Sequence, residues 1–405
     1  MRRVLAYYAS RDLVPLYGVY ALLFRQHGLS AGQVSSLFVV WSLSSFVLEV
    51  PSGAWADTID RRRLLVLSAV VYAAAFATWM LWPVYLGYAT GFMLWSASSA
   101  LMSGTFEALL YDALDERDLS SAYPRLVGWA HSGAMAATLL ATFAAAPLLA
   151  LGGYALVGWA SVGMAGPQAV LAWMLPRPRD GTPAARTLGA HDVIEAAEAT
   201  TGRYLTMLRL GVLEAARVPA VRRTVVVSSA MLGLTVYDEY LPLVAREHGA
   251  SQATVPVLVA AVVAGQLLGT AVAGRTAGLT GRSIAVLLAV SAVLVSAGAL
   301  LDPWIGFAAI AVGFGLVHNA VIVTEARLQQ IISGRARATV TSVAGLSTEV
   351  VALTAYAAFT LGASRASMSV LVALSGVPMV AVACAASRWL PGVSETPTDP
   401  STPDR

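Results

Sequence analysis

The sequence predicts an all-α membrane protein: twelve transmembrane helices, built as two parallel six-helix pseudo-repeats. Three observations carry this. Of 405 residues, 57% are hydrophobic and only 12% charged, against roughly 25% charge in a soluble domain. Apolar stretches of about 20 residues, the length needed to cross the hydrocarbon layer, recur along the chain. The polar hexapeptide RQHGLS at 25–30 returns as REHGAS at 246–251.

Each span follows from its apolar run. Twelve are expected, at 4–24, 34–52, 64–82, 84–112, 124–148, 153–175, 223–244, 254–274, 283–301, 303–325, 338–361 and 367–388. The first and seventh contain charges. The ten-residue alternation of an outer-membrane barrel is missing. Arg2 and Arg3 resemble the basic start of a signal peptide, but Arg11 and Asp12 interrupt the apolar run and no A-x-A site follows, so cleavage is not expected.

Arginine placement orients the chain. All 26 basic residues are Arg. On the expected spans, 22 lie on the side of the termini and 3 (Arg25, Arg246 and Arg365) on the other, with Arg11 inside a span. Discounting the eight in the long segment 176–223 still leaves 14 against 3. The positive-inside rule therefore expects both termini in the cytoplasm. This topological ordering explains the net charge of +3 without a nucleic-acid surface. The single cysteine, Cys384, excludes a disulfide framework and a cysteine-based metal site.

The two hexapeptides are offset by 221 residues, and Gly53 and Arg61 fall on Gly274 and Arg282 at the same offset. Glu107-Ala108 matches Glu325-Ala326 three residues short of it. Matches in order at nearly one offset indicate duplication. Both halves start on the same side, so the repeat is parallel. The expected domains are 1–175, an N-terminal six-helix bundle, and 223–390, a C-terminal one. Between them, 176–222 opens with PRPRDGTP and reads as a cytoplasmic linker with an amphipathic helix. The tail 391–405 is rich in Pro, Ser and Thr and is expected to be disordered.

The most specific motif is LEVPSGAWADTIDRRRLL at 48–65, read as the short loop after the second span. Its spacing Gly53-x-x-x-Asp57-x-x-x-Arg61-Arg62 resembles the loop 2–3 signature G-x-x-x-D-x-x-G-R-[RK] of the major facilitator superfamily. A second segment, Ser103-Gly104-Thr105-Phe106-Glu107-Ala108-Leu109-Leu110-Tyr111-Asp112, resembles a prokaryotic drug-export-like branch of that superfamily. The resemblance covers 1–390 and implies the fold of that superfamily, a prokaryotic cytoplasmic-membrane location and no enzymatic activity. It also implies that Asp57 helps close the cytoplasmic side against a second-half helix starting near Ala338. The motif departs from the pattern at Asp60, where a second Gly is usual, and the second-half copy carries Gly278 in the Asp place. An Arg common in the fourth span of exporters is Ala100 here, and the fifth span lacks their G-x-x-x-G-P.

Ionisable groups inside a membrane cost a few kcal/mol and normally face a cavity or a partner. Arg11 and Asp12, His131, Asp238 and Glu239, His318, and Glu349 are such groups. Arg11 and Asp12 can neutralise each other, and the two histidines can serve interhelical hydrogen bonds. The candidates for proton coupling are Asp238 and Glu239 together, then Glu349, with Glu107 and Asp12 behind them near cytoplasmic water. The resemblance sets spans 1, 4, 7 and 10 around a cavity, which makes Tyr17, Trp95, Tyr237 and His318 candidate wall residues; helix packing explains each equally well. Trp82, Tyr85, Trp173, Trp304 and Trp389 sit at span ends as an interfacial belt.

No GxSxG, HExxH or Walker-type motif occurs, and no Lys is present to complete the last. The expected function is secondary transport by alternating access, with proton-coupled export of a small organic molecule favoured. Metabolite uptake, or a non-transporting sensor of the same fold, are the alternatives. No cofactor is expected beyond a proton gradient. The expected partners are a small-molecule substrate and the lipid bilayer, with no nucleic acid, and the unit is expected to be a monomer.

Overall fold

A computed structural model describes residues 2–58, 60–103, 105–175, 217–332 and 337–390, without the side chains of 49–58, 120 and 337–339. The described residues are helical with no strand. The expected linker helix and tail, at 176–216 and 391–405, lie outside them.

The twelve spans appear, several of them broken where the sequence predicts continuity. Span 1 is three pieces: Arg2–Arg11, a 3-10 turn Pro15–Gly18, and Tyr20–Gln26. Proline removes an N–H and drives the residue before it out of the helical region; Val14 is extended at φ −121°, ψ 101°. Ser161 of span 6 accepts the freed Leu16 N–H at 3.0 Å, which a break at membrane depth requires. Span 7 repeats the design as Pro219–Gly233, a 3-10 stretch Leu234–Tyr240 and Leu241–Glu247, with Pro242 opening the last piece.

Spans 2 and 3 are Ala31–Thr58 and Arg61–Leu81. Residues 53–57, expected in a loop, are therefore the last turns of the second span. Span 4 is Tyr85–Met102 followed by Thr105–Asp115, broken at Ser103 with ψ −141°. Spans 5 and 6 share the helix Tyr123–Trp173, divided at Gly152 and Gly153, whose φ of −151° and 61° are non-helical. The remaining spans are Val255–Val272, Gly281–Gly298, Pro303–Ile331, Arg337–Gly362, and Met368–Leu374 continued by Gly376–Trp389. Pro378 lacks the N–H that would bond the Leu374 carbonyl, which explains the last break.

The duplicated hexapeptides are duplicated helix ends. Gly28 and Gly249 have φ of +88° and +82°. Leu29 N–H bonds Phe24 O and Gly28 N–H bonds Arg25 O, while Ala250 and Gly249 make the same pair of bonds to Ala245 and Arg246. Both ends are Schellman caps, in which a left-handed glycine lets the chain satisfy terminal carbonyls.

The chain forms two compact units: Met1–Tyr204 with Glu239–Val263 and Tyr356–Met368, and Leu205–Asp238 with Ala264–Ala355 and Ser369–Arg405. The first unit therefore holds parts of both sequence repeats. One of its cores joins Val4, Tyr7, Leu65, Phe106 and Leu110. The second unit packs Met231, Ile284, Leu288, Val317 and Met379. In it, Gly265 and Gly269 press on the backbone of Ala311 and Gly315, where a Cβ has no room; small residues four apart allow such close helix approach in membranes. Large apolar side chains such as Leu81, Leu151 and Leu361 stand exposed, as suits a surface solvated by lipid. Trp82, Trp173, Trp304 and Trp389 are also exposed at span ends.

Candidate functional site: two aromatic clusters and a terminal-side ion pair

At the end of span 2, Asp60 caps the helix Arg61–Leu81 by accepting Arg63 N–H at 2.8 Å. The departure from glycine thus supplies a helix cap. Arg61 forms an ion pair with Asp112, so the two sequence signatures meet. The Arg62 guanidinium lies 4.4 Å from the centre of the Trp173 ring, a cation–π contact. Glu107, in the same helix as Asp112, is exposed. The side chains of Asp57 and Ala338 lie outside the described residues, and Gly53 sits within the helix Ala31–Thr58.

The break in span 1 organises the first unit. Arg11 donates to Ser99 Oγ at 2.6 Å and approaches Met102 Sδ at 3.6 Å, partners the sequence does not indicate. Tyr72 donates to the Arg11 carbonyl at 3.2 Å and also bonds Tyr17 Oη. Tyr17 stacks on Trp95, ring centres 5.0 Å apart and planes 5° from parallel, which unites two predicted wall residues. Tyr8 Oη meets His131 Nε2 at 3.1 Å, and His131 Nδ1 meets Val127 O at 3.0 Å.

Glu239 stands in the 3-10 break of span 7 and accepts a hydrogen bond from Tyr20 Oη. Tyr20 is ringed by Phe24, Phe38, Trp79, Phe92 and Trp95, with centres 5.6–6.3 Å away. Tyr240, beside Glu239, stacks on Phe359 at 4.1 Å. One carboxylate thus borders an extended aromatic cluster.

The second unit holds the other pair of wall candidates, joined through Phe314. Tyr237 packs edge-on to Phe314 at 5.7 Å, and Phe314 lies 4.4 Å from His318. His318 Nδ1 is 3.0 Å from Phe314 O. The Tyr237 hydroxyl is buried without a hydrogen-bond partner among the described residues. Asp238 and Glu349 are half-buried.

The sequence candidates omit the buried uncharged amides and count Arg327 only as one of the arginines on the side of the termini. Buried Asn319 donates to Gly269 O at 3.0 Å and meets Thr276 Oγ1 at 2.9 Å. Arg327 donates to Ala277 O and Leu279 O, holding the loop that copies the 53–62 motif. Uncharged amides in apolar spans are the available signal: Asn319 and Gln168 are both almost wholly buried. No group of three or more His, Cys, Asp or Glu that could hold a metal occurs among the described residues.

The family model for the Major Facilitator Superfamily matches residues 4–351. The chain belongs to this superfamily. This superfamily member shares its fold with transporters of differing cargo. A D-xylose–proton symporter superposes with a TM-score of 0.70 at 15% identity, covering 96% of each chain. A nucleoside transporter gives 0.67 at 10% identity, covering 95% of this chain and 97% of that one. A bacterial homologue of the iron transporter ferroportin, in an inward-facing state, gives 0.68 at 14% identity and 96% of each. No curated protein matches the chain in sequence. Family and fold make it a multi-pass membrane transporter, not an enzyme.

Proposed function

We propose that this protein exports a small organic molecule, cationic or moderately apolar, in exchange for protons. It works by alternating access in the prokaryotic cytoplasmic membrane, as a monomer with both termini in the cytoplasm. The observation that carries this is Glu239, hydrogen-bonded by Tyr20 at the edge of an aromatic cluster. An unpaired charge is costly at this depth. A proton or an organic cation relieves that cost, and aromatic faces attract the cation further. One site then accepts either, never both: binding of one cation releases one proton. Asp238 and Glu349 are the reserve acids. The drug-export-like resemblance of residues 103–112 supports the direction.

In proteoliposomes with an imposed pH gradient, Glu239→Gln is expected to abolish gradient-driven transport while keeping downhill exchange. Tyr20→Phe, which removes only the hydroxyl donor, is expected to retain coupling with weakened substrate affinity. Substrate-induced proton release should disappear in Glu239→Gln. Unchanged release there shifts coupling to Asp238 or Glu349, and accumulation down the proton gradient identifies metabolite uptake instead.

A further inference from the structure

In the first unit, where spans 1 and 7 end, a cavity of about 430 Å³ is lined by residues of both hexapeptide repeats. Its polar lining includes Arg25, Arg246, Tyr154, Gln26, Gln252 and Glu247. Leu22, Leu243 and Met368 supply apolar wall. By sequence, this end of the molecule holds only three arginines, Arg25, Arg246 and Arg365. Two of the three line this one cavity.

The two Schellman caps explain how. Each arginine spends one nitrogen on the carbonyl four residues on: Arg25 Nη1 on Leu29 O at 2.7 Å, and Arg246 Nη1 on Ala250 O at 2.5 Å. That bond anchors the guanidinium at the helix end and leaves its other donors unspent among the described residues. Glu247 Oε1 accepts the Met368 N–H at 2.8 Å, so the cavity's acid is already engaged in holding the start of the last span. Two guanidinium groups against one carboxylate leave an excess positive charge. A guanidinium's fork of donors matches the paired oxygens of a carboxylate or phosphate. Basic residues on this side run against the general charge bias of membrane proteins, and the parallel repeat brings one from each copy to the same space.

We propose that this cavity binds an oxyanion, carboxylate or phosphate, attached to a small apolar body, from either a free organic acid or a lipid headgroup. Arg25 and Arg246 grip the oxyanion, Tyr154 donates its hydroxyl, and Leu22, Leu243 and Met368 receive the apolar part. Because the arginines come from the ends of spans 1 and 7, the bound anion ties those two ends together. The site is separate from Glu239 and does not depend on the direction of transport.

The test uses the purified full chain in a neutral detergent, with thermal unfolding followed by tryptophan fluorescence. Sodium phosphate and sodium succinate are titrated against sodium chloride at matched ionic strength. Dihexanoyl-phosphatidylglycerol is titrated against dihexanoyl-phosphatidylcholine. A saturable rise in midpoint is expected with a free anion or with the anionic lipid, and the responding arm identifies the source. Arg25→Gln and Arg246→Gln should each weaken the response at least tenfold, while Arg365→Gln, which removes the third arginine of this end but does not line the cavity, should respond as wild type. Tyr154→Phe preserves the packing and should weaken it severalfold, which keeps the test informative should an arginine variant not fold. The proposal is overturned if no anion exceeds its control, or if Arg246→Gln and Tyr154→Phe respond as wild type.

Discussion

Arg61 and Asp112 show how two separately read motifs become one contact. Each residue is informative in the sequence as part of a signature, yet nothing in their spacing pairs them; the folding of span 3 beside span 4 does. Both side chains keep partial access to solvent, at 20% and 33%, so the pair is a modest contributor. A double-mutant cycle with Arg61→Gln and Asp112→Asn is expected to return a coupling of about 1 kcal/mol in thermal or denaturant unfolding. A coupling within error of zero would leave Arg61 a purely topological charge. The same lesson applies to Arg11 and Glu239. The charge of each is evident in the chain, but only the folded molecule supplies Ser99 to the first and Tyr20 to the second.

Helix ends and helix breaks were unequally legible. The glycines of the repeated hexapeptides were visible as a match, and the structure gives the reason: each occupies a left-handed position at a Schellman cap. An alanine in that conformation costs roughly 1–2 kcal/mol. Gly28→Ala and Gly249→Ala are each expected to lower the thermal midpoint. Gly128→Ala, where the added methyl meets nothing within 4 Å and φ is not positive, should hold or raise it. Equal effects at all three positions would remove the conformational explanation. The breaks in spans 1 and 7 were missed because hydropathy sums over a window and ignores backbone. Pro15 and Pro242 were the available signals, but a proline can also sit inside a continuous span, as Pro147 does within Tyr123–Trp173. Whether the helix breaks depends on a partner for the freed backbone, here Ser161.

For the whole molecule, arginine asymmetry predicts the orientation. In a Cys384→Ser background, Ser364→Cys is expected to react with a membrane-impermeant thiol reagent from outside intact cells, and Thr182→Cys only after the membrane is opened. Labelling at Thr182 from outside reverses the orientation. The compact units also cut across the sequence repeats, since 239–263 and 356–368 pack with the first six spans. Duplication records where the chain came from, whereas compactness records which helix portions touch.

The sequence by itself determined the class, the number of spans, the duplication and the superfamily, because each is written in local composition or in residues at fixed separation. Twenty apolar residues must cross a membrane wherever they occur, and a repeated cap must cap again. Tertiary structure alone decided which residue answers which: Asp112 for Arg61, Ser99 for Arg11, Tyr20 for Glu239, and one cavity for Arg25 and Arg246. These partners lie 51 to 221 residues apart in the chain. No local propensity encodes such pairings; they form only when packed helices bring the polar groups together.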